Sequence, residues 1–465
     1  MDVDKAIDAL KQKLPQGQFA LRGTEAYEEL SRSPKTVEEV SIFVRTIRPF
    51  ALRGEAPFAI FGAGQQPAIG CNNIQDGITL NLSLLKGIEV KDGVVEIAAG
   101  ERWGSIYKKL DPLGLSVAGG RSSRNGIGGL ALQGGLSFFS SREGFISDNV
   151  VNYEIVLASG DVVNANQKDH PDLWKALKGG GNNFGVVTRF DLKTFKQGGL
   201  YGGSVVYYGK DFPSQIKALI HELQRPDATP ETHLMVSGGF MAQAGPTTLC
   251  QNQVYYTQPV PDPEVLKPFT SIKDQIDEKN TIRLIPDVTK AADEQARDQH
   301  VSRRVAYMNL TVKADVRTLE AAFEIYQTCL KDVLTSKGLI CSFTLQPYAR
   351  SLLQKSATQG DNVLGLDQKD PTSLVNILLL TYWSDAGDDG AILGAMKSAV
   401  DKMRNDATKK ETFVDYVYMN YASEDQDVIS SYGDENMKFL QKTSKEYDPE
   451  GLFQKGVPGG WKLFT

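Results

Sequence analysis

Gly119-Gly120-Arg121-Ser122-Ser123-Arg124-Asn125-Gly126-Ile127-Gly128-Gly129-Leu130-Ala131-Leu132-Gln133-Gly134-Gly135-Leu136-Ser137 carries seven glycines in nineteen residues. Glycine tolerates positive φ and lets other groups approach the backbone closely. Successive free N–H groups in such turns form anion-binding concavities. Two shorter loops of the same kind flank this stretch. Gly62-Ala63-Gly64 follows the strand-like Phe58-Ala59-Ile60-Phe61, and Gly179-Gly180-Gly181 leads through Gly185 into an apolar run from Val186. One glycine-rich turn is ordinary punctuation. Three in the first 190 residues, each beside a predicted strand, suit a pyrophosphate.

Working outward, the pattern excludes two common nucleotide folds. A Rossmann fingerprint needs a strand, then GxGxxG, then a helix. After Gly64 come Gln65-Gln66-Pro67, and Pro67 obstructs a regular helix there. No GxxxxGK[ST] phosphate loop occurs. Upstream, Val37, Val40, Phe43, Val44 and Ile47 lie near helical spacing and predict a helix over 36–53. Strands are predicted at 78–82, 94–99 and 151–157, and helices at 103–110 and 172–177. Beyond about residue 200 the texture changes. Strands at 202–208, 253–257, 305–312 and 374–383 alternate with helices at 213–223, 317–334 and 391–404, as in an antiparallel sheet covered by helices. A last helix is predicted over 432–447. The fold class is therefore α+β.

The chain has 465 residues, a formal net charge of −6 and 41% hydrophobic residues, enough for a large core and two or three domains. The acidic balance gives no reason to expect nucleic acid. No apolar run is long enough to predict a membrane span. The charged, amphipathic start, MDVDKAIDALKQKLP, is unlike a secretory signal, so the chain is expected to be cytoplasmic, or secreted if a signal preceded the numbering. Cys71, Cys250, Cys329 and Cys341 have no metal-ligand or disulfide spacing and read as buried free thiols. Asn81-Leu82-Ser83 and Asn309-Leu310-Thr311 are glycosylation triplets of a kind that chance often supplies.

Several pieces, in this order, resemble the berberine-bridge-enzyme-like branch of the vanillyl-alcohol-oxidase flavoprotein superfamily. They are Ile60-Phe61-Gly62-Ala63-Gly64, Asp76-Gly77-Ile78, Gly100-Glu101-Arg102-Trp103-Gly104, the 119–137 stretch and Arg142-Glu143-Gly144. Asp148-Asn149-Val150-Val151, His170-Pro171-Asp172-Leu173-Trp174 and the run from Gly179 to Gly185-Val186-Val187-Thr188 follow. Near the end stand Asn420-Tyr421 and Tyr447-Asp448-Pro449-Glu450-Gly451, and the tail through Pro458-Gly459-Gly460 resembles fungal members. The resemblance implies a two-part FAD-binding domain, residues 1–200 and 411–465, around a substrate domain at 201–410. It implies cofactor contacts from Phe61, Gly62, Ala63, Gly64, Gln65 and Gln66, and from Gly119, Gly120, Ser122, Asn125, Gly126, Gly128, Gly129, Leu130, Gly134, Gly135 and Ser137. Asn149, Val150, Gly185, Val186, Val187, Asn420 and Tyr421 complete the set.

The chain also departs from the family. Members often link flavin through a His after the first glycine loop, and many add a second link through a Cys in the next loop. Here Gln65 and Ser122 stand at those positions, and neither can form the bond. The resemblance therefore implies noncovalent FAD, more loosely held and less oxidising. The join at Ser33-Pro34-Lys35 is shorter than usual, which leaves the local edge of the FAD domain open. In relatives the residue after the Asp-Asn pair lies near the flavin carbon that meets oxygen, and Val150 is smaller than the Leu associated there with poor oxygen reactivity.

Flavin supplies hydride chemistry, and the protein supplies orientation and a base. Tyr382, Tyr416 and Tyr418 fall on strands predicted to line the cavity. Tyr416, Tyr418 and Asn420 share one face by the two-residue period, and Asp415 faces away as a solvated carboxylate. Gln346 and Tyr348 form a second same-face pair. Trp174, Phe184 and Trp383 read as packing residues. Arg121 and Arg124 suit a phosphate, an acidic substrate or plain solvent. The leading expectation is oxidation of a small organic molecule, of secondary-metabolite type, with molecular oxygen as acceptor. A non-redox isomerase or cyclase with structural FAD is the alternative, and a binding protein with a degenerate site the third.

Overall fold

The computed structural model describes residues 3–14, 33–242, 247–296, 303–366, 369, 370 and 372–464. The segment before Ser33 that makes the short join lies outside the described residues. Helix Val37–Leu52 begins at Thr36, whose side chain accepts from the Glu39 N–H while the Glu39 carboxylate accepts from the Thr36 N–H. This reciprocal cap is local chemistry, which is why the sequence places the helix start well. Buried Val40, Phe43, Val44 and Ile47 form its inner stripe.

Two small sheets carry the glycine loops. Phe58–Phe61 pairs in parallel with Ile78–Asn81. An antiparallel sheet runs Ile88–Lys91, Val94–Ala98, Val186–Lys196, Val150–Val156 and Val162–Asn166, and Leu115–Val117 also pairs with Val186–Lys196. The strand ending at Val117 thus delivers the 119–137 stretch from the sheet's end.

The larger sheet has eight antiparallel strands. Their order is Arg283–Ile285, Leu200–Tyr208, Thr248–Tyr256, Thr232–Met241, Ile340–Tyr348, Leu374–Trp383, Arg304–Lys313 and Phe413–Val414. Helices Phe212–Gln224, Val316–Leu330 and Asp389–Lys409 cover one face. There Leu234, Val236, Phe343, Leu345, Ile377, Leu379, Met308 and Leu310 join one buried apolar cluster with the helices. The alternate residues point the other way and differ in character. His233, Met235, Ser237, Thr344, Gln346, Tyr307, Asn309, Asn376 and Tyr382 follow from the two-residue period and the strand register. A second cluster holds the glycine-loop core together with Tyr255, Tyr348 and Leu374 from this opposite face. The polar face of the large sheet is therefore packed toward the glycine loops.

Two sequence expectations need correction. The strand expected to carry Tyr416, Tyr418 and Asn420 ends at Val414, and Met419–Tyr421 is a tight helical turn. Phe413–Val414 pairs only with Arg304–Lys313 at the sheet edge, so side-chain clamps hold the chain beyond it. Of the four thiols, all free, Cys71 and Cys329 are only half-buried. Asn309 is fully buried, so its triplet is no glycosylation site. No helix among the described residues is long and apolar enough to cross a membrane.

Candidate functional site

The seven glycines of the decisive stretch divide into three groups. A Cβ on Gly119 would stand 2.5 Å from the Trp103 ring and the Tyr107 hydroxyl, and one on Gly120 would also strike Trp103. A Cβ on Gly126 would stand 2.5 Å from the Ala63 methyl. These three are glycine because protein packs on them, and Gly126 brings the second loop against the first. Gly134 and Gly135 have φ of 99° and 79°, which only glycine adopts freely. Gly128 and Gly129 are different. Their φ is ordinary, and nothing lies within 4 Å of where a Cβ would stand; Gly62 shares this property. Neither backbone strain nor protein packing asks for glycine at these three.

Backbone donors point the same way. The N–H groups of Gly62, Ala63, Gly64, Gln65 and Gln66 find no acceptor among the described residues. Those of Gly128, Gly129 and Leu130, in the first turn of the short helix Gly128–Leu132, likewise find none. Unpaired donors over open, Cβ-free backbone are what an anionic, flat-edged group such as a dinucleotide pyrophosphate requires. The residues fit FAD.

A third segment closes on these loops. Asn420 Oδ1 accepts from the Gly135 N–H at 3.1 Å, and Asn420 Nδ2 donates to Gln133 Oε1 at 3.1 Å. Gln66 Nε2 reaches the Met419 carbonyl at 3.4 Å. The sheet grips the same turn. Asn309 Nδ2 donates to the Tyr418 carbonyl (3.1 Å), and its Oδ1 accepts from the Tyr418 N–H (2.9 Å) and from Asn376 Nδ2 (2.8 Å). Asn309 and Asn376 escaped the sequence reading. Their signal was polar side chains alternating against apolar neighbours on otherwise apolar strands.

Among the tyrosines, Tyr418 and Tyr416 are buried, and the Tyr416 hydroxyl finds no hydrogen-bond partner among the described residues, while that of Tyr418 has only the Gly135 backbone N–H beside it. Burial holds both phenols well above their ordinary value. Tyr418 lies 3.5 Å from the Cβ position of Gly134 and 4.9 Å, ring to ring, from Tyr421. Tyr416 sits farther along, stacked at 6.1 Å on Tyr432. Tyr382, the last residue but one of its strand, is half-buried and hydrogen-bonds the Tyr307 hydroxyl. Asp415 is exposed, as its alternate position suggested. Gln346 and Tyr348 are buried on one face of Ile340–Tyr348, and Gln346 Nε2 donates to the Tyr421 hydroxyl at 2.9 Å.

The remaining cofactor candidates also make contacts within the protein. Asn149 Nδ2 donates to the Glu143 and Phe145 carbonyls. Ser137 Oγ caps the Phe139 N–H at 3.0 Å. Gly185 would strike the Val156 carbonyl if it bore a Cβ, and Val186 and Val187 are buried in the strand that follows. Val150 is fully buried, and its carbonyl accepts from Trp174 Nε1 at 3.0 Å. Gln65 is exposed at the loop surface, and Ser122 and Asn125 lie in the turn between the packing glycines. Trp174, Phe184 and Trp383 are buried.

Comparison with known proteins gives a consistent picture. A family described as an FAD binding domain matches residues 30–166. An FAD-dependent monooxygenase, tpcD of Cochliobolus heterostrophus, is 35% identical over 90% of this chain and 82% of its own length. Another, FUP4 of Fusarium proliferatum, is 34% identical over 92% and 84%. Among solved structures, the carbohydrate oxidase from Microdochium nivale superposes with a TM-score of 0.76 at 18% identity, covering 99% of this chain and 100% of its own. The 6-hydroxy-D-nicotine oxidase from Arthrobacter nicotinovorans gives 0.76 at 17%, covering 95% and 97%.

Proposed function

Because this chain belongs to the family of FAD-dependent monooxygenases that includes tpcD and FUP4, we propose that it oxidises a small organic substrate held between the glycine loops and the polar face of the large sheet. Bound FAD supplies a hydride acceptor at N5 and a route for electrons to molecular oxygen. The observation that carries the reading is the Tyr418–Tyr421 turn. It is tied to the glycine loop through Asn420 and to the sheet through Asn309, so one rigid element spans cofactor cradle and substrate wall.

In this reading the chain divides as 1–200 and 411–465 for FAD and 201–410 for substrate. Tyr418 takes the substrate proton, with Tyr416 and then Tyr382 as the other candidates. A buried phenol is a reluctant acid, so Tyr418 works as a base only when a neighbouring cation or the reacting group itself favours the phenolate. FAD is held without a covalent bond, which Gln65 and Ser122 support by their chemistry. The small Val150 supports oxygen as the acceptor. The FAD-dependent monooxygenase names of the relatives support oxygen chemistry but leave open whether an oxygen atom enters the product.

The test is anaerobic mixing of the holoenzyme with candidate phenols and secondary alcohols. Bleaching of the flavin band, with recovery on admitting air and one peroxide per turnover, supports oxidation. Label from ¹⁸O₂ in the product converts the reading to monooxygenation. Product formation with no bleaching overturns it in favour of isomerisation or cyclisation. Acid precipitation followed by filtration is expected to release all flavin into the filtrate; flavin retained on the polypeptide defeats the noncovalent assignment.

A further inference from the structure

Arg121 sits where the second glycine loop meets the polar face of the large sheet, and every hydrogen-bond partner of its side chain there, among the described residues, is electrically neutral. Its Nη2 donates to the Tyr421 hydroxyl at 2.7 Å. Its Nη1 lies 3.4 Å from His233 Nε2 and 3.6 Å from Met235 Sδ. Burial, and then Arg121 itself, hold the His233 imidazole well below its ordinary value, so it stays uncharged. No ion pair involves Arg121 among the described residues. A part-buried guanidinium without a counter-charge is costly, because desolvation is not offset. Guanidinium is also the side chain best shaped to receive an anionic oxygen.

The direction of the side chain separates two possible anions. Among the described residues, every hydrogen bond its side chain makes is to the large sheet or to the Tyr421 turn; none is to the 62–66 loop, whose unpaired N–H groups form the other anion cradle. The surroundings are aromatic. Phe138 meets His233 at 5.6 Å and Tyr255 at 4.8 Å, both edge to face, and Tyr307 meets Tyr421 at 6.2 Å. Tyr421 passes the position on to Gln346. The result is one fixed cation amid rings and neutral hydrogen-bonding groups.

We propose that Arg121 is a specificity-determining residue that binds an acidic oxygen of the substrate, a carboxylate or an ionised phenol on a ring-bearing molecule. This rests on the reading of the pocket given above and names its substrate class. Tyr421, fixed between Arg121 and Gln346, is the second donor to the same oxygen. The experiment titrates benzoate, benzamide, 4-nitrophenol and nitrobenzene into the holoenzyme and reads the perturbation of the flavin absorbance. The wild type is expected to bind benzoate or 4-nitrophenolate at least about tenfold more tightly than its neutral partner. That preference is lost in Arg121→Met and partly kept in Arg121→Lys, with FAD content unchanged in both. Persistence of the preference in Arg121→Met, equal affinity for charged and neutral probes, or no spectral response overturns the proposal. Loss of FAD in Arg121→Met assigns the residue to the cofactor and overturns it too. Anion preference with no anaerobic bleaching by any substrate leaves the inference standing and removes the oxidation reading, so the two failures are distinct.

Discussion

At the scale of single residues, the two kinds of glycine make a sharp contrast. Gly119→Ala drives a methyl into Trp103 and Tyr107 in the core. Overpacking of this kind typically costs about 1–3 kcal/mol, so the variant is expected to unfold at lower urea while its FAD affinity, measured on the folded fraction, changes little. Gly128→Ala meets no protein atom. It is expected to fold as the wild type does and to lose FAD affinity at least about tenfold, the equivalent of 1.4 kcal/mol. The opposite ranking of the two variants contradicts the division of the loop into packing and cradle glycines. Tyr418→Phe keeps the buried ring and removes the proton acceptor. Loss of one general base costs about 100–10,000-fold in rate, and FAD content should stay unchanged. Tyr416→Phe is the paired control, and near-normal turnover in both moves the base to Tyr382.

At the scale of elements, the Tyr418–Tyr421 turn depends on an asparagine relay rather than on strand pairing. Asn309→Leu removes a donor and an acceptor at once. It leaves the Tyr418 N–H and carbonyl and the Asn376 amide without their partner. Each buried polar group so orphaned costs about 1–3 kcal/mol. The variant is expected to melt lower and to bind FAD more weakly, since Asn420 then loses its fixed place at Gly135. Thermal melts with and without excess FAD check this. A lowered melting temperature with unchanged FAD affinity would mean that Asn309 stabilises the sheet alone.

At the scale of the whole molecule, two lysine ammonium groups, Lys178 buried and Lys462 half-buried, contribute to how stability follows pH. Lys178 Nζ donates to the Gly360 carbonyl at 2.9 Å and lies 3.5 Å over the Trp174 ring, with Asp148 nearby. Lys462 Nζ reaches the Phe453 carbonyl at 3.1 Å. Burial lowers each to about 7, against about 10.4 in an unfolded chain. Below pH 7 both states hold the protons and the burial cost is present in full. Above pH 7 only the unfolded state holds them, so stability rises with pH, by up to about 1.4 kcal/mol per pH unit for each lysine. Urea unfolding of the holoenzyme from pH 6 to 8.5 is expected to show that rise. The window ends before the Cys71 thiol, pushed up by burial to about 11, begins to oppose it. Lys178→Met and Lys462→Met should each flatten the slope; a flat wild-type profile contradicts the account.

The primary sequence by itself determined the features that local chemistry controls. The Thr36–Glu39 cap, the amphipathic stripe after it, the strands running into glycine loops and the two-residue period of Gln346 and Tyr348 all depend on neighbours within a few positions. Order and spacing of the glycine loops then sufficed for the FAD family. What the tertiary structure decided depends on partners far apart along the chain. Gly119 and Gly128 are the same letter; only Trp103 packed on one, and open space over the other, separates their roles. Tyr416 and Tyr418 looked like strand residues because β propensity says nothing of where pairing runs out at a sheet edge. Asn309 was only part of a chance glycosylation triplet in the sequence; its side-chain carbonyl and amide find Tyr418 only in the fold. Arg121 lies 112 positions from His233 and 300 from Tyr421. Its lack of a counter-charge among the described residues is a property of the folded neighbourhood, and no local pattern encodes it.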